Sequence, residues 1–119
     1  MARVMIVDDA MFMRKMLGGI LEQAGHTIVC EASNGEEAVK LYKAYKPDLV
    51  TMDITMPVMN GIEAVQHIKA YDSDALVLMF SAMGQQTLVI DAIQAGAKDF
   101  VVKPFNTQRV EEAISRALT

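Results

Sequence analysis

Short apolar runs alternate with helical patterns along the whole chain. The runs are Val4–Val7, Thr27–Ala32, Leu49–Met52, Leu76–Phe80 and Phe100–Val102. Four of them are nearly continuous in Val, Ile, Leu, Met or Phe, the pattern of parallel strands covered on both faces. The second, "TIVCEA", is more mixed and reads as an edge strand. The segments between the runs carry helical spacing. Met13, Met16, Leu17, Ile20, Leu21 and Ala24 fall on one stripe that Gly25 ends. Asn34 with Glu37 three residues on marks a helix start, Ala38, Leu41, Tyr42 and Tyr45 continue it, and Pro47 closes it. Ile62, Val65 and Ile68 share a face after Gly61. Gln85–Ala95 stops at Gly96, and Val110, Ala113, Ile114, Ala117 and Leu118 make the last stripe.

Five β–α pairs predict a parallel sheet with right-handed crossovers and helices on both faces. Five strands are too few for an eight-stranded barrel. The common small solution is the doubly wound, flavodoxin-like three-layer sandwich with strand order 2-1-3-4-5. In that order the first and third strands lie side by side at the centre. Ligands of such folds bind at the carboxyl ends of the strands, near that switch point.

The residues at those ends are Asp8 and Asp9 after the first run, Asp53 after the third, Ser81 after the fourth, and Lys103 with Pro104 after the fifth. Clustered carboxylates repel, and at least one pKa rises unless a cation intervenes. Mg²⁺ suits a few carboxylates together with waters and phosphate oxygens. Lys103 adds a compact positive charge and Ser81 a hydroxyl donor. A carboxylate can also be the nucleophile toward phosphorus, giving an aspartyl phosphate. Asp53 holds the central place for that role, with Asp8 and Asp9 paired as metal-holding groups. Any one of these residues alone reads as a loop residue or helix cap. The joint placement reads as a site for phosphoryl chemistry.

The composition bounds the alternatives. The 119 residues match one domain with one substantial core. Apolar residues make up 52% and charged residues 22%, a globular balance. No run is long enough for a membrane span. The start "MARVMIVDDA" is not a secretory signal, because its apolar stretch is short and ends in two acids. The expected location is the cytoplasm. A net charge of −4 argues against a nucleic-acid partner. The single cysteine, Cys30, excludes an internal disulfide and reads as a small buried side chain. His26 and His67 lie apart and read as neither ligands nor phosphodonors. Arg14, Lys15 and Lys69 read as solvated helix faces. Met11, Met13, Met16, Met56, Met59 and Met83 fall around the proposed site, and the plainer reading is core filler rather than an adaptable partner surface.

The sequence resembles response-regulator receiver domains, in particular the single-domain chemotaxis type. The resemblance covers the whole chain. It rests on "VDD" after the first run, "DITMPVMNG" from Asp53, "SAMG" from Ser81, "GAKDF" before the fifth run and "KPF" after it. It implies one receiver domain over residues 1–119 with no effector domain. Asp53 is then the phosphoacceptor. Asp9 is the direct metal ligand, Asp8 acts nearby through water, and the Thr55 backbone carbonyl completes the protein's share. The metal is Mg²⁺, with Mn²⁺ as a substitute. Ser81 is the switch hydroxyl, Lys103 contacts the phosphoryl group, and the Lys103–Pro104 bond is cis. Phe100 matches the aromatic switch position, where many chemotaxis members carry Tyr; Phe lacks the hydroxyl. Thr55 and Met83 occupy the two positions that tune phosphoryl lifetime.

The resemblance further implies a histidine kinase as donor, a flagellar motor switch protein or adaptor as target, and a phosphatase as a further partner class. A monomer is the default. The output surface would be the fourth helix, fifth strand and fifth helix. Leu88, Val89 and Ile90 in that fourth helix exceed what one buried stripe needs. The surplus goes either to the surface or to a broad core face. An aspartyl-phosphate hydrolase is the main alternative, but it commonly carries a second acid two residues after the nucleophile, where this chain has Thr55. A flavin or nucleotide binder would need a Gly/Ser/Thr-rich loop in place of "DDAMFM". A phosphorylation-independent binding module would not need all the acids to be present.

Overall fold

The computed structural model describes residues 1–119. In chain order the elements are β1 (Arg3–Val7), α1 (Met11–Gln23), β2 (Thr27–Ala32), α2 (Gly35–Tyr45), β3 (Leu49–Asp53), α3 (Gly61–Tyr71), β4 (Val77–Ser81), α4 (Gln86–Gln94), β5 (Asp99–Val102) and α5 (Thr107–Leu118). The strands pair in parallel in the order β2-β1-β3-β4-β5, as the alternation predicts. β3 and β4 are buried at every position, while β2 at the edge is only half-buried along most of its length.

The strands' two-residue period sorts their side chains into two cores. Met5, Val7, Val50, Met52, Val77 and Met79 face α2, α3 and α4, where they meet Ala38, Tyr42, Val65, Ile68 and Ala92. Val4, Ile6, Leu49, Leu78, Phe80 and Val101 face α1 and α5, where they meet Leu17, Leu21, Val110 and Ile114. The sheet is therefore covered on both faces, and solvent reaches it at the strand ends and along the half-buried edge strands β2 and β5.

Three helices begin on asparagine caps. Asn34 accepts from the Glu37 amide, Asn60 from Glu63 and Asn106 from Arg109. At α3 the box is closed, since the Glu63 carboxylate also accepts from the Asn60 amide at 3.3 Å. Asn60→Ala leaves the first-turn amide without a partner. It is expected to lower stability by about 1 kcal/mol, read as a shift of the urea midpoint at unchanged slope.

Several sequence readings shift. On α1 the buried residues are Leu17, Gly18 and Leu21, whereas Met16 and Ala24 are exposed. Hydrophobic periodicity passes over glycine. Gly18 is buried against β1, where even a β-carbon would make only ordinary contact with Ile6 Cδ1 at 3.6 Å. On α4 only Val89 of the apolar triplet is buried; Leu88 and Ile90 are exposed. Met56 is buried, but Met11, Met16 and Met83 are exposed, so these three are not core filler. Lys69 is no solvated helix face. Its ammonium donates to the carbonyls of Ser73 and Ala75, and its stem lies against Gly96. Cys30 is half-buried, and burial pushes its thiol up to about 11.

Candidate functional site

Four strands deliver their last residues, or the next one along, to one end of the sheet. Asp8 follows β1, Asp53 ends β3, Ser81 ends β4 and Lys103 follows β5. β3 and β4 place Asp53 opposite Phe80, so Ser81 is the next residue beyond the acid. The structure brings together all five residues read from the strand ends. One carboxylate oxygen from each of Asp8, Asp9 and Asp53 lies within 4.8 Å of the others. Asp8 and Asp53 are buried and Asp9 is exposed.

The Lys103 ammonium donates to Asp8 Oδ2 at 3.0 Å and to Asp53 Oδ1 at 3.3 Å. One positive charge thus stands against three negative ones. Burial pushes the Asp53 carboxyl up to about 6; Lys103 opposes that rise, while Asp8 and Asp9 add to it. Burial works against the Lys103 ammonium as well, but Asp8 and Asp53 outweigh it and hold its pKa above the ordinary lysine value. The remaining excess of negative charge and the all-oxygen donor set fit a hard divalent cation. A second observation fits phosphoryl oxygens at the same place: the Ser81 hydroxyl is buried and has no hydrogen-bond partner.

The walls of the site are backbone. Gly61 at the start of α3 donates its N–H to the Ile54 carbonyl at 2.8 Å, pressing the helix against the end of β3. The Lys103 N–H donates to the Ser81 carbonyl at 2.7 Å, which carries β5's pairing past its last residue. The Lys103–Pro104 peptide is cis. Phe105 beyond it meets Phe80 edge-on, with ring centroids 5.3 Å apart.

Two participants escaped the sequence reading. Arg14 is not a solvated side chain. It donates to the Asp8 carbonyl at 2.7 Å and pairs with Glu31 at 2.9 Å, tying the Asp8–Asp9 turn to β2. No sequence signal marked this contact, because it depends on the register that sets Glu31 beside Ile6. Gln85, just before α4, bridges two loops. It accepts from the Ala82 amide at 2.7 Å and donates to Thr55 Oγ1 at 2.9 Å. Thr55 and Met83 are exposed at the mouth of the site. Phe100 is half-buried; its carbonyl accepts from Arg109, and its ring joins the α4 side of the core.

Comparison with known proteins agrees with this geometry. The family model for the response regulator receiver domain matches residues 4–115. The chain is 60% identical over 116 residues to chemotaxis protein CheY of Bacillus subtilis, covering 98% of this chain and 97% of that protein. It is 59% identical over 114 residues to CheY of Thermotoga maritima, covering 96% and 95%. Among solved structures, a chain of the CheX–CheY–BeF3–Mg²⁺ complex from Borrelia burgdorferi superposes with a TM-score of 0.94 at 41% identity, covering 98% of this chain and 89% of that one. The chain belongs to the response-regulator receiver family, in its CheY type, and its function is that of a phosphorylation-activated chemotaxis switch.

Proposed function

We propose that Asp53 is the residue phosphorylated. The observation that carries this reading is its place: a buried carboxylate at the end of the central strand, between an ammonium and two further acids. The donor is a histidine kinase. An Asp53 carboxylate oxygen attacks phosphorus as the phosphorus–nitrogen bond of the donor phosphoimidazole breaks. The bond's electron pair returns to the imidazole nitrogen. The product is an acyl phosphate on Asp53. Asp8, Asp9, Asp53 and the Thr55 carbonyl would hold Mg²⁺, or Mn²⁺ in its place. When bound there, such an ion would supply charge that offsets carboxylate repulsion and the charge developing on the phosphoryl oxygens. Lys103 meets one phosphoryl oxygen as a point charge.

The output follows from the free hydroxyl. The phosphoryl group carries close to two negative charges in place of the carboxylate's one, and brings three strong acceptors. Ser81, unpartnered and adjacent, turns toward it. Phe100 follows into the room that Ser81 leaves, and burial of the ring alone suffices, since Phe carries no hydroxyl to place. The surface that changes lies on α4, β5 and α5, where Ile90, Ile93 and Val102 are exposed. A motor switch protein, an adaptor, a phosphatase or a CheX-like protein fits as partner there or at the site. Residues 1–119 form one receiver domain, which we expect to act as a monomer in the cytoplasm. No helix is long and apolar enough to cross a membrane.

Intact mass after incubation with acetyl phosphate tests the reading. The expected result is one added phosphoryl group, seen only with Mg²⁺ present. No adduct from folded protein with continuous phosphate release would instead make the chain a hydrolase. No adduct and no release would make it a phosphorylation-independent binding module.

A further inference from the structure

The Gln85 bridge stands outside the machinery described above. Gln85 occupies the N-cap position of α4 yet makes no side-chain bond to its own helix. Gly84, with φ at +89°, turns the loop so that the side chain faces back toward Ala82. The Ala82 N–H can only donate, so Gln85 Oε1 must face it, and Nε2 is then the atom at the Thr55 hydroxyl. One side chain thus ties the loop after β4 to the loop after β3, the two loops that flank Asp53. Ala82 directly follows Ser81, whose own hydroxyl has no partner. Two hydrogen-bond donors therefore follow one another past the strand position next to Asp53. One is unpartnered and the other is held by Gln85.

We propose that Gln85 is a latch across the mouth of the site, which holds the phosphoryl-free arrangement by occupying the Ala82 N–H and fastening it to Thr55. The proposal rests on Asp53 being the phosphoacceptor. A phosphoryl oxygen is a charged acceptor, and hydrogen bonds to such acceptors are about twice as strong as neutral ones. It therefore takes the Ala82 N–H from the Gln85 carbonyl oxygen. Once Oε1 is displaced, the tie to Thr55 is lost with it, and the first residues of α4 are released from the loop after β3. Phosphorylation is thereby coupled to α4 through a second route, independent of Phe100. The latch also opposes phosphorylation, because its two bonds must be broken first.

Beryllofluoride at fixed Mg²⁺ supplies the probe, read from two-dimensional amide NMR spectra. Gln85→Met keeps length and helix preference but makes neither bond. It is expected to half-saturate at about three- to tenfold lower beryllofluoride than the wild type, the effect of losing two partly solvated neutral hydrogen bonds from the free state alone. Before any beryllofluoride is added, its Ala82 amide resonance is already shifted from the wild-type position. Thr55→Val tightens binding in the same direction but less. The double variant binds no tighter than Gln85→Met, because the two bonds act as one device. Unchanged or weaker binding in Gln85→Met, or an unmoved Ala82 resonance, overturns the latch. The wild type's response must vanish in Asp53→Asn. If the wild type shows no Asp53-dependent response at all, the phosphoacceptor reading fails and the latch goes with it. If that response is present and Gln85→Met matches it, only the latch fails.

Discussion

Asp53→Asn takes up no phosphoryl group from acetyl phosphate, and in metal-free buffer at pH 7 it withstands more urea than the wild type. The two expectations share one cause. Asp53 is buried at the end of β3, and its carboxyl is raised from 3.8 to about 6, first by burial and then by Asp8 and Asp9, with Lys103 only partly opposing. The unfolded chain loses this proton near 4 and the folded chain near 6. Between those values the folded state holds more protons, so wild-type stability falls as pH rises through that window and stays lowered above it. The nominal cost is about 1.4 kcal/mol for each unit of displacement. Solvent reaches the site beside exposed Asp9 and Thr55 and screens the charges, so we expect a gain of about 1 kcal/mol for the variant. Asparagine keeps an oxygen for Lys103, which also retains Asp8 at 3.0 Å. Mg²⁺ reverses the order, because an ion bound only by the folded state stabilises by mass action and the wild type offers it one more carboxylate. Urea titrations at pH 4, 6 and 7, with chelator and then with Mg²⁺, check the whole pattern. A variant less stable than the wild type in chelator at every pH would show that the carboxylate is well accommodated by its surroundings, and the account of the raised pKa would be wrong.

The architecture was legible because each strand announces itself twice, by a continuous apolar run and by the helical stripe after it. β3 and β4 could be read almost to the residue, since both faces of each are covered and only Thr51, itself β-branched, interrupts the apolar runs. The site was legible for a related reason. Residues at the ends of parallel strands converge wherever the strands are adjacent, so the order 2-1-3-4-5 alone brings Asp8, Asp53, Ser81 and Lys103 to one edge. What escaped depends on where long side chains turn. Arg14 lies at an ordinary helical position, and only the packing of α1 beside β2 aims it at Glu31 and the Asp8 carbonyl. Gln85 looks like any residue near a helix start, and its reach across to Thr55 depends on the φ of Gly84. The α1 stripe was misread at Met16 because the buried place on that face belongs to Gly18, whose missing side chain leaves no mark in an apolar periodicity. Tyr45 was read into the α2 stripe but is exposed, because the helix ends beside it as Lys46 turns left-handed at φ 46°.

Gly61→Ala is expected to damage both the fold and the site. A methyl group at residue 61 would overlap the Asp53 carbonyl oxygen and come within 3.0 Å of its carbonyl carbon and 3.1 Å of Ile54 Cα. All three are backbone atoms of the strand end, so no side-chain rotation relieves the clash. Either α3 moves away from β3, breaking the Gly61–Ile54 hydrogen bond and loosening buried Ala64 and Val65, or the end of β3 moves and carries Asp53 away from Lys103. Overpacking against flexible neighbours costs about 1–3 kcal/mol; against rigid backbone the expected loss is at the top of that range or beyond it. Gly19→Ala is the matched comparison. Nothing lies within 4 Å of its β-carbon position, and it sits exposed inside α1. There the same substitution is expected to stabilise by about 0.5–1 kcal/mol, through helix preference alone. Urea midpoints of the two variants should therefore move in opposite directions. Under conditions where Gly61→Ala is still folded, its uptake of phosphoryl from acetyl phosphate should fall well below that of Gly19→Ala, since only the first substitution touches the backbone that carries Asp53. Equal stability of the two variants would mean that the contact between α3 and the end of β3 yields easily, and that Asp53 is positioned by its side-chain partners rather than by the close approach at Gly61.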